Sequence, residues 1–342
     1  MTALIVILIF VFIIGLCAGS FLNVVILRSL SEESIVFPAS KCPKCGQKLK
    51  WYHNIPILSF IMLRGKCAFC KTKISIQYPI IEFLTGILFT AAFLKLFIGQ
   101  VILTSAVTFE NLLTTIYAWI IISLLIVIAG TDIREKVVFD KHTYSLIAIG
   151  LIYSLAITIT AVIYSVKTTG NLPLNTAFLI YNPITNALLG LILGVVIMEL
   201  LARSGYLFAG TRAFGEGDTY IAAGIGAVFG WQKLIAALIL SIVIQLIITL
   251  PIFFKKLFKN KDYTTIISLS GFFLYAAAFL FLQNKGVLSN GVIYTICAII
   301  LAAIGIYACV RIIKDLKKNK DNMTCLPFGP AMAIAALLMI AL

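Results

Sequence analysis

Two aspartates and four cysteines are the residues of this chain best placed to do chemistry. Asp132 follows the apolar run ending Ile128-Ala129-Gly130, and Asp218 closes Gly215-Glu216-Gly217-Asp218 and opens a further apolar stretch. Ionisable groups at membrane depth are costly and mark function. Two carboxylates that face each other share one proton, because like charges in contact do not readily both ionise. The pair titrates as a unit. One member takes a proton from water while the other gives one to a carbonyl oxygen and a leaving amine. Gly215 and Gly217 leave the backbone free to bend and open to close approach. A structural reading competes with this. An aspartate at a helix start is commonly only an N-cap, and Asp132 has Arg134 and Lys136 nearby as pairing partners.

The cysteines form Cys42-Pro-Lys-Cys45 and Cys67-Ala-Phe-Cys70, with 21 residues between the pairs. Four thiolates in two short knuckles suit a tetrahedral zinc ion, at a separation just beyond the usual range of about 15–20 residues. The polar segment 28–78 that holds them is too small for a core of its own, so a metal would supply folding energy. Two disulfides are the competing reading; the charge pattern puts the segment in the cytosol, where thiols stay reduced. Cys17, Cys297, Cys309 and Cys325 sit in or beside apolar runs at no ligand spacing and read as small hydrophobes. Asn23 and Glu82 read as hydrogen-bonding groups between helices, and Glu199 as structural. His53 and His142 have no clear partner set and read as surface or interfacial residues. No Ser-His-Asp order and no HExxH helix is present, which leaves serine and zinc protease chemistry without support.

The elements that must position these groups are membrane helices. Of the 342 residues 61% are hydrophobic and 12% charged, with a mean hydropathy of +1.09. A soluble chain carries about 45–50% apolar and about 25% charged residues, so lipid is the solvent here. Apolar runs long enough to span lie at 3–27, 79–98, 112–131, 142–164, 185–203, 233–254, 264–283 and 291–311, with shorter ones at 218–230 and 327–342. The first run lacks a basic segment before it and reads as a retained span rather than a secretory signal. With the amino terminus outside, 23 of the 27 basic residues fall on the cytoplasmic side, as Lys and Arg in short loops dictate. Both aspartates then sit at cytoplasmic ends of spans. The net charge of +14 reads as this orientation signal, because no basic face with interleaved aromatics points to nucleic acid.

These motifs occur in an order that resembles the type IV prepilin leader peptidase family. The resemblance runs from Gly19-Ser20-Phe21-Leu22-Asn23 through Trp51-Tyr52-His53-Asn54-Ile55-Pro56, Leu63-Arg64-Gly65-Lys66-Cys67 and Tyr78-Pro79 with Glu82. It continues through Gly215-Glu216-Gly217-Asp218 into Gly224-Ile225-Gly226-Ala227-Val228-Phe229-Gly230-Trp231, and closes with Leu326-Pro327-Phe328-Gly329-Pro330. The resemblance implies a polytopic all-α membrane aspartic endopeptidase of the inner membrane. It implies Asp132 and Asp218 as the catalytic pair, zinc on Cys42, Cys45, Cys67 and Cys70, and type IV prepilins or pseudopilins as substrates. It further implies methylation of the new amino terminus by S-adenosylmethionine, with no residues assigned to that cofactor. The chain departs from the family pattern at Phe139, where a proline is usual, and at Tyr220, where a lysine is usual. The organisation expected is a first span (1–27), a cysteine module (28–78), a membrane catalytic core (79–254), an inserted hairpin (255–320) and a last span (321–342), about ten spans in all. The alternatives are a transporter capped by the zinc module, for which the internal repeats such transporters carry are not seen, and a non-catalytic scaffold for pilus or secretion assembly.

Overall fold

The computed structural model is all-α, and among the described residues the only β pairing is two isolated bridges, Lys41 with Lys48 and Lys66 with Lys73. The structure describes residues 2–37, 40–104, 106–170, 182–209, 212, 214–259, 263–284 and 327–341, with a few positions between 295 and 307. Helix α1 (Thr2–Leu30) leads into the polar segment, which carries the short α2 (Leu58–Met62). The chain returns through α3 (Gln77–Ala92), a π-turn (Phe93–Ile98) and α4 (Gly99–Thr104). Then follow α5 (Phe109–Glu135), α6 (Asp140–Thr169), α7 (Pro183–Ala209), α8 (Glu216–Lys259), α9 (Tyr263–Asn284) and α10 (Gly329–Ala341).

Among the described residues six stretches, in α1, α3 to α4, α5, α6, α7 and α8, are long and apolar enough to cross a membrane. The first five expected spans each fall on one of these. The runs expected at 218–230 and 233–254 both lie in α8, divided at Gly230 (φ 78°, ψ 170°). Only glycine reaches that backbone conformation without strain, so the boundary between the two runs is a real break. The run at 264–283 is α9, while the run at 291–311 falls largely outside the described residues. Helix α10 covers 13 described residues.

Without a hydrophobic force between helices in lipid, small residues decide where backbones approach. Helices α1 and α3 cross where Gly15 meets Gly86 and Gly19 meets Glu82; a Cβ on either α1 glycine would lie 2.7 Å from the opposite Cα. The first part of α8 runs antiparallel to α7, pairing Gly226 with Gly190 and Ala222 with Gly194. It runs parallel to α6, where Gly224 meets Leu146 and Ala227 meets Gly150. Helix α5 lies at the centre: Ile121, Ile122, Leu125 and Ile128 are fully buried, and α10, whose Ala331, Met332 and Ala335 are buried, packs on it. At the far end of α10 the Lys95 ammonium donates to the Met339 carbonyl at 3.3 Å, a cation at a helix C-terminus. Residues 201–213 and 243–326 form a separate unit that contains α9 and the segment 255–320; within it the Tyr275 hydroxyl donates to the Cys297 carbonyl at 3.4 Å.

Candidate active site

Asp132 lies in the last turn of α5 and Asp218 in the first turn of α8, and the two carboxyl groups are close enough to interact electrostatically. The fold therefore brings the two sequence candidates together. Asp132 is 4% exposed, and its Oδ2 is buried with no hydrogen-bond partner, so pairing with Arg134 or Lys136 is not its role in this structure. Asp218 is partly buried, and its Oδ2 accepts the Gly215 N–H at 3.2 Å. This is a reach back from the third helical residue to the residue before the helix, as in one half of a capping box. The capping reading thus accounts for one oxygen of one aspartate and for nothing at the other.

A third element completes the site. Gly329, the first residue of α10, has its backbone N–H facing both carboxyl groups. A Cβ placed on it would run into Asp132 Oδ2 and would lie 2.9 Å from Ile221 Cδ1. The resemblance had marked this stretch only as a closing motif, and its contact with the pair is a tertiary fact. The expectation for Gly215 and Gly217 changes in its reason. Neither has a positive φ, and Gly217 is the place where Val138 packs, with Val138 Cβ 2.7 Å from where a glycine Cβ would stand. Of the two departures, Phe139 precedes α6, with its ring 6.0 Å from His142, and Tyr220 sits edge-on to Tyr144 at 5.5 Å.

The cysteine module is built as two matching knuckles. In the first, Cys42 N–H donates to the Gln47 carbonyl at 3.0 Å; in the second, Cys67 N–H donates to the Thr72 carbonyl at 2.8 Å. The residue after the second cysteine takes a positive φ in both, Gly46 at 69° and Lys71 at 59°. Cys42 and Cys67 are buried while Cys45 and Cys70 are exposed, and the four ligand atoms lie within 4.8 Å of one another. A tetrahedral ion with Zn–S bonds of about 2.3 Å needs S···S edges of about 3.8 Å, and Cys42 and Cys70 are 3.9 Å apart. The thiols are unequal. The Cys45 amide leads the groups that pull Cys42 down, and the Thr72 hydroxyl and amide take Cys70 to about 6. Cys45 is pushed up to about 11: the Gln47 amide pulls it down, but desolvation and the Cys42 and Cys70 thiols outweigh that pull. Four thiolates in this space repel each other unless a cation sits among them, so the donor set fits a structural zinc ion. All six described cysteines are free of disulfides, against the competing disulfide reading.

Two buried polar contacts hold the module end of the bundle. Asn23 Nδ2 donates to the Tyr78 carbonyl at 3.2 Å, the bridge between helices expected of it. Glu82 Oε2 accepts the Ile57 N–H at 2.7 Å, which ties the polar segment to α3, and the Ser20 hydroxyl on α1 bonds the same carboxyl group, the bridge between helices expected of it. Glu199 in α7 is half-buried. His142 is corrected: it is not a surface or interfacial residue but 8% exposed, with Nε2 3.1 Å from the Ser29 hydroxyl. His53 packs edge-on between Tyr52 and Phe69.

Comparison with known proteins places this geometry in context. Residues 13–96 match the model of the Bacterial Peptidase A24 N-terminal domain, and residues 119–250 match that of the Type IV leader peptidase family. The second match ends before the segment 255–320. A Neisseria gonorrhoeae protein is 30% identical over 78% of this chain and 88% of its own length. A Klebsiella pneumoniae protein is 31% identical over 68% of this chain and 89% of its own. A Myxococcus xanthus protein is 32% identical over 68% of this chain, which spans 59% of that relative's length. Each bears the name prepilin leader peptidase/N-methyltransferase. No solved structure matches.

Proposed function

The chain belongs to the type IV leader peptidase family, and from that premise we propose that it is a membrane aspartic endopeptidase that removes the basic leader of type IV prepilins or pseudopilins. The reading is carried by one observation. Asp132 and Asp218, from helices far apart in sequence, meet at the bundle end that also bears the cysteine module.

In the proposed reaction the two carboxyl groups hold one proton between them. The ionised member takes a proton from the attacking water, and the protonated member gives its proton to the scissile carbonyl oxygen. Collapse of the tetrahedral species breaks the C–N bond, and the amine leaves with a proton from the pair. The substrate's apolar helix stays in the bilayer beside the spans, and its basic leader lies at the polar end.

The basic residues of segment 28–78 support a reading in which that end faces the cytoplasm, the amino terminus lies outside and the chain sits in the inner membrane. Cys42, Cys45, Cys67 and Cys70 would hold zinc, which stabilises the module and takes no part in hydrolysis. The names of the relatives extend the proposal to methylation of the new amino terminus, with S-adenosylmethionine as donor. The division into first span, module, catalytic core, inserted hairpin and last span is part of the same proposal.

The test is cleavage of a prepilin with a basic leader by the purified protein in detergent, beside Asp132→Asn and Asp218→Asn. Each variant is expected to fold and to lose cleavage by at least about a thousandfold, about 4 kcal/mol of barrier. Variants that cleave like wild type would return the aspartates to a structural role and favour the scaffold.

A further inference from the structure

Helix α10 starts at the aspartate pair. A helix N-terminus presents backbone N–H groups without intrahelical partners and a partial positive charge. In the first turn of α10, Pro330 has no N–H to give, and the Met332 N–H already donates to the Phe328 carbonyl at 3.2 Å. The Gly329 N–H faces both carboxyl groups. The independent sign that something is to be held here is Asp132 itself, 4% exposed, with Oδ2 buried and unpartnered.

The helix is also fixed in place. Ala331, Ala333, Ala335 and Ala336 are fully buried. Pro327 and Pro330 restrict the backbone on both sides of Gly329. The Phe328 ring lies 5.1 Å from that of Phe214, one residue before the Gly215–Asp218 turn. The end of α10 and the turn that carries Asp218 are therefore tied together.

From this we propose that Gly329 is a positioning residue for the hydrolytic pair. Its amide holds the shared negative charge in place and keeps Asp132 turned toward Asp218. Its lack of a side chain leaves the space that Asp132 Oδ2 occupies. The inference rests on the hydrolytic reading of Asp132 and Asp218 and adds a residue to it. The contact is open in the free protein and closes when substrate excludes water, as catalytic hydrogen bonds often do.

The test compares wild type, Gly329→Ala, Ile221→Val and the double variant Gly329→Ala/Ile221→Val in the prepilin cleavage assay, with thermal unfolding of each in detergent. Asp132→Asn and Asp218→Asn run alongside. A misplaced catalytic group costs on the order of 100-fold, so Gly329→Ala is expected to lower kcat about 100-fold with KM within about threefold and the fold retained. Ile221→Val should act like wild type. The double variant removes the Ile221 Cδ1 clash and leaves the one with Asp132, so it should stay as slow as Gly329→Ala. The proposal is overturned if Gly329→Ala is within about threefold of wild type, or if the double variant recovers to that level. It is equally overturned if neither Gly329→Ala form folds, which would make Gly329 a folding residue. If the aspartate variants cleave normally the hydrolytic reading itself fails; if only Gly329→Ala does, this inference alone fails.

Discussion

Glu82 offers a perturbation whose size follows from one bond. Its Oε2 accepts the Ile57 N–H at 2.7 Å while the residue itself is 6% exposed. Ile57 carries φ 59°, ψ −50°, costly for a β-branched residue, and the following Leu58 N–H donates back to the Pro56 carbonyl at 2.6 Å. This is a tight three-residue turn of the rare positive-φ kind. A strained turn persists only where its surroundings hold it, and the carboxylate is the visible holder. A hydrogen bond to a charged group contributes about 1.5–3 kcal/mol. Glu82→Ala should thus raise local opening of the turn by roughly 10- to 150-fold, at about 1.4 kcal/mol per factor of ten. Glu82→Gln keeps an acceptor and should cost no more than about 1.5 kcal/mol. Amide hydrogen exchange at Ile57 to Ser59, in detergent, reads this directly. Protection that is equal in wild type and Glu82→Ala would refute the claim that this carboxylate latches the cysteine module to α3.

Four further outcomes are expected. Gly46→Ala places a Cβ in open space at φ 69°, so it should cost only the left-handed conformation, about 1 kcal/mol, read as zinc lost about fivefold faster to a chelator; Lys71→Gly, at the matching position, should slow that loss. Full removal of zinc by a strong chelator should abolish protection in the two knuckles and leave the helical circular-dichroism signal of the spans. Gly226→Ala drives a Cβ into the Gly190 backbone and should destabilise by about 1–3 kcal/mol, while Gly271→Ala in α9, with nothing within 4 Å, should be neutral or stabilising by up to about 1 kcal/mol; thermal unfolding separates them. Ser29→Ala leaves a buried His142 nitrogen unpaired and should cost about 1–3 kcal/mol, and a double-mutant cycle with His142→Phe should show coupling.

What the sequence made readable follows the physics of each feature. Lipid demands long apolar runs, so the first five expected spans each fall on a membrane-length helix, while against about ten expected spans six such stretches stand among the described residues. The runs at 218–230 and 233–254 read as separate, and α8 breaks at Gly230 at the end of the first. The cysteine spacing announced its own geometry, since a knuckle is local. His142 was misread for lack of a register. In α6, positions 142, 146, 150, 154 and 158 are all buried, and that repeat of four would have turned His142 inward. The meeting of Gly226 with Gly190 was likewise foreshadowed by small residues four apart, at 190 and 194 and at 222 and 226. Only the packed bundle could tell which oxygen of Asp132 lacks a partner, or that Gly329 lies against it.

The placement of the aspartates at helix ends follows from what a low-dielectric bundle allows. Asp218 sits at the start of α8, where free N–H groups and the helix dipole favour an anion, and the Gly215 amide satisfies one of its oxygens. Asp132 sits in the last turn of α5, the end at which the dipole disfavours an anion, and it is the one left with an unpartnered oxygen. Its own helix cannot supply the missing donor, because the amides there are already committed. The start of another helix can, and α10 brings one. Its first residue delivers that donor. The helix is buried along α5, with Gly329 at the pair and Lys95 on the carbonyl of Met339 near its other end. The geometry at the pair accounts for where α10 begins.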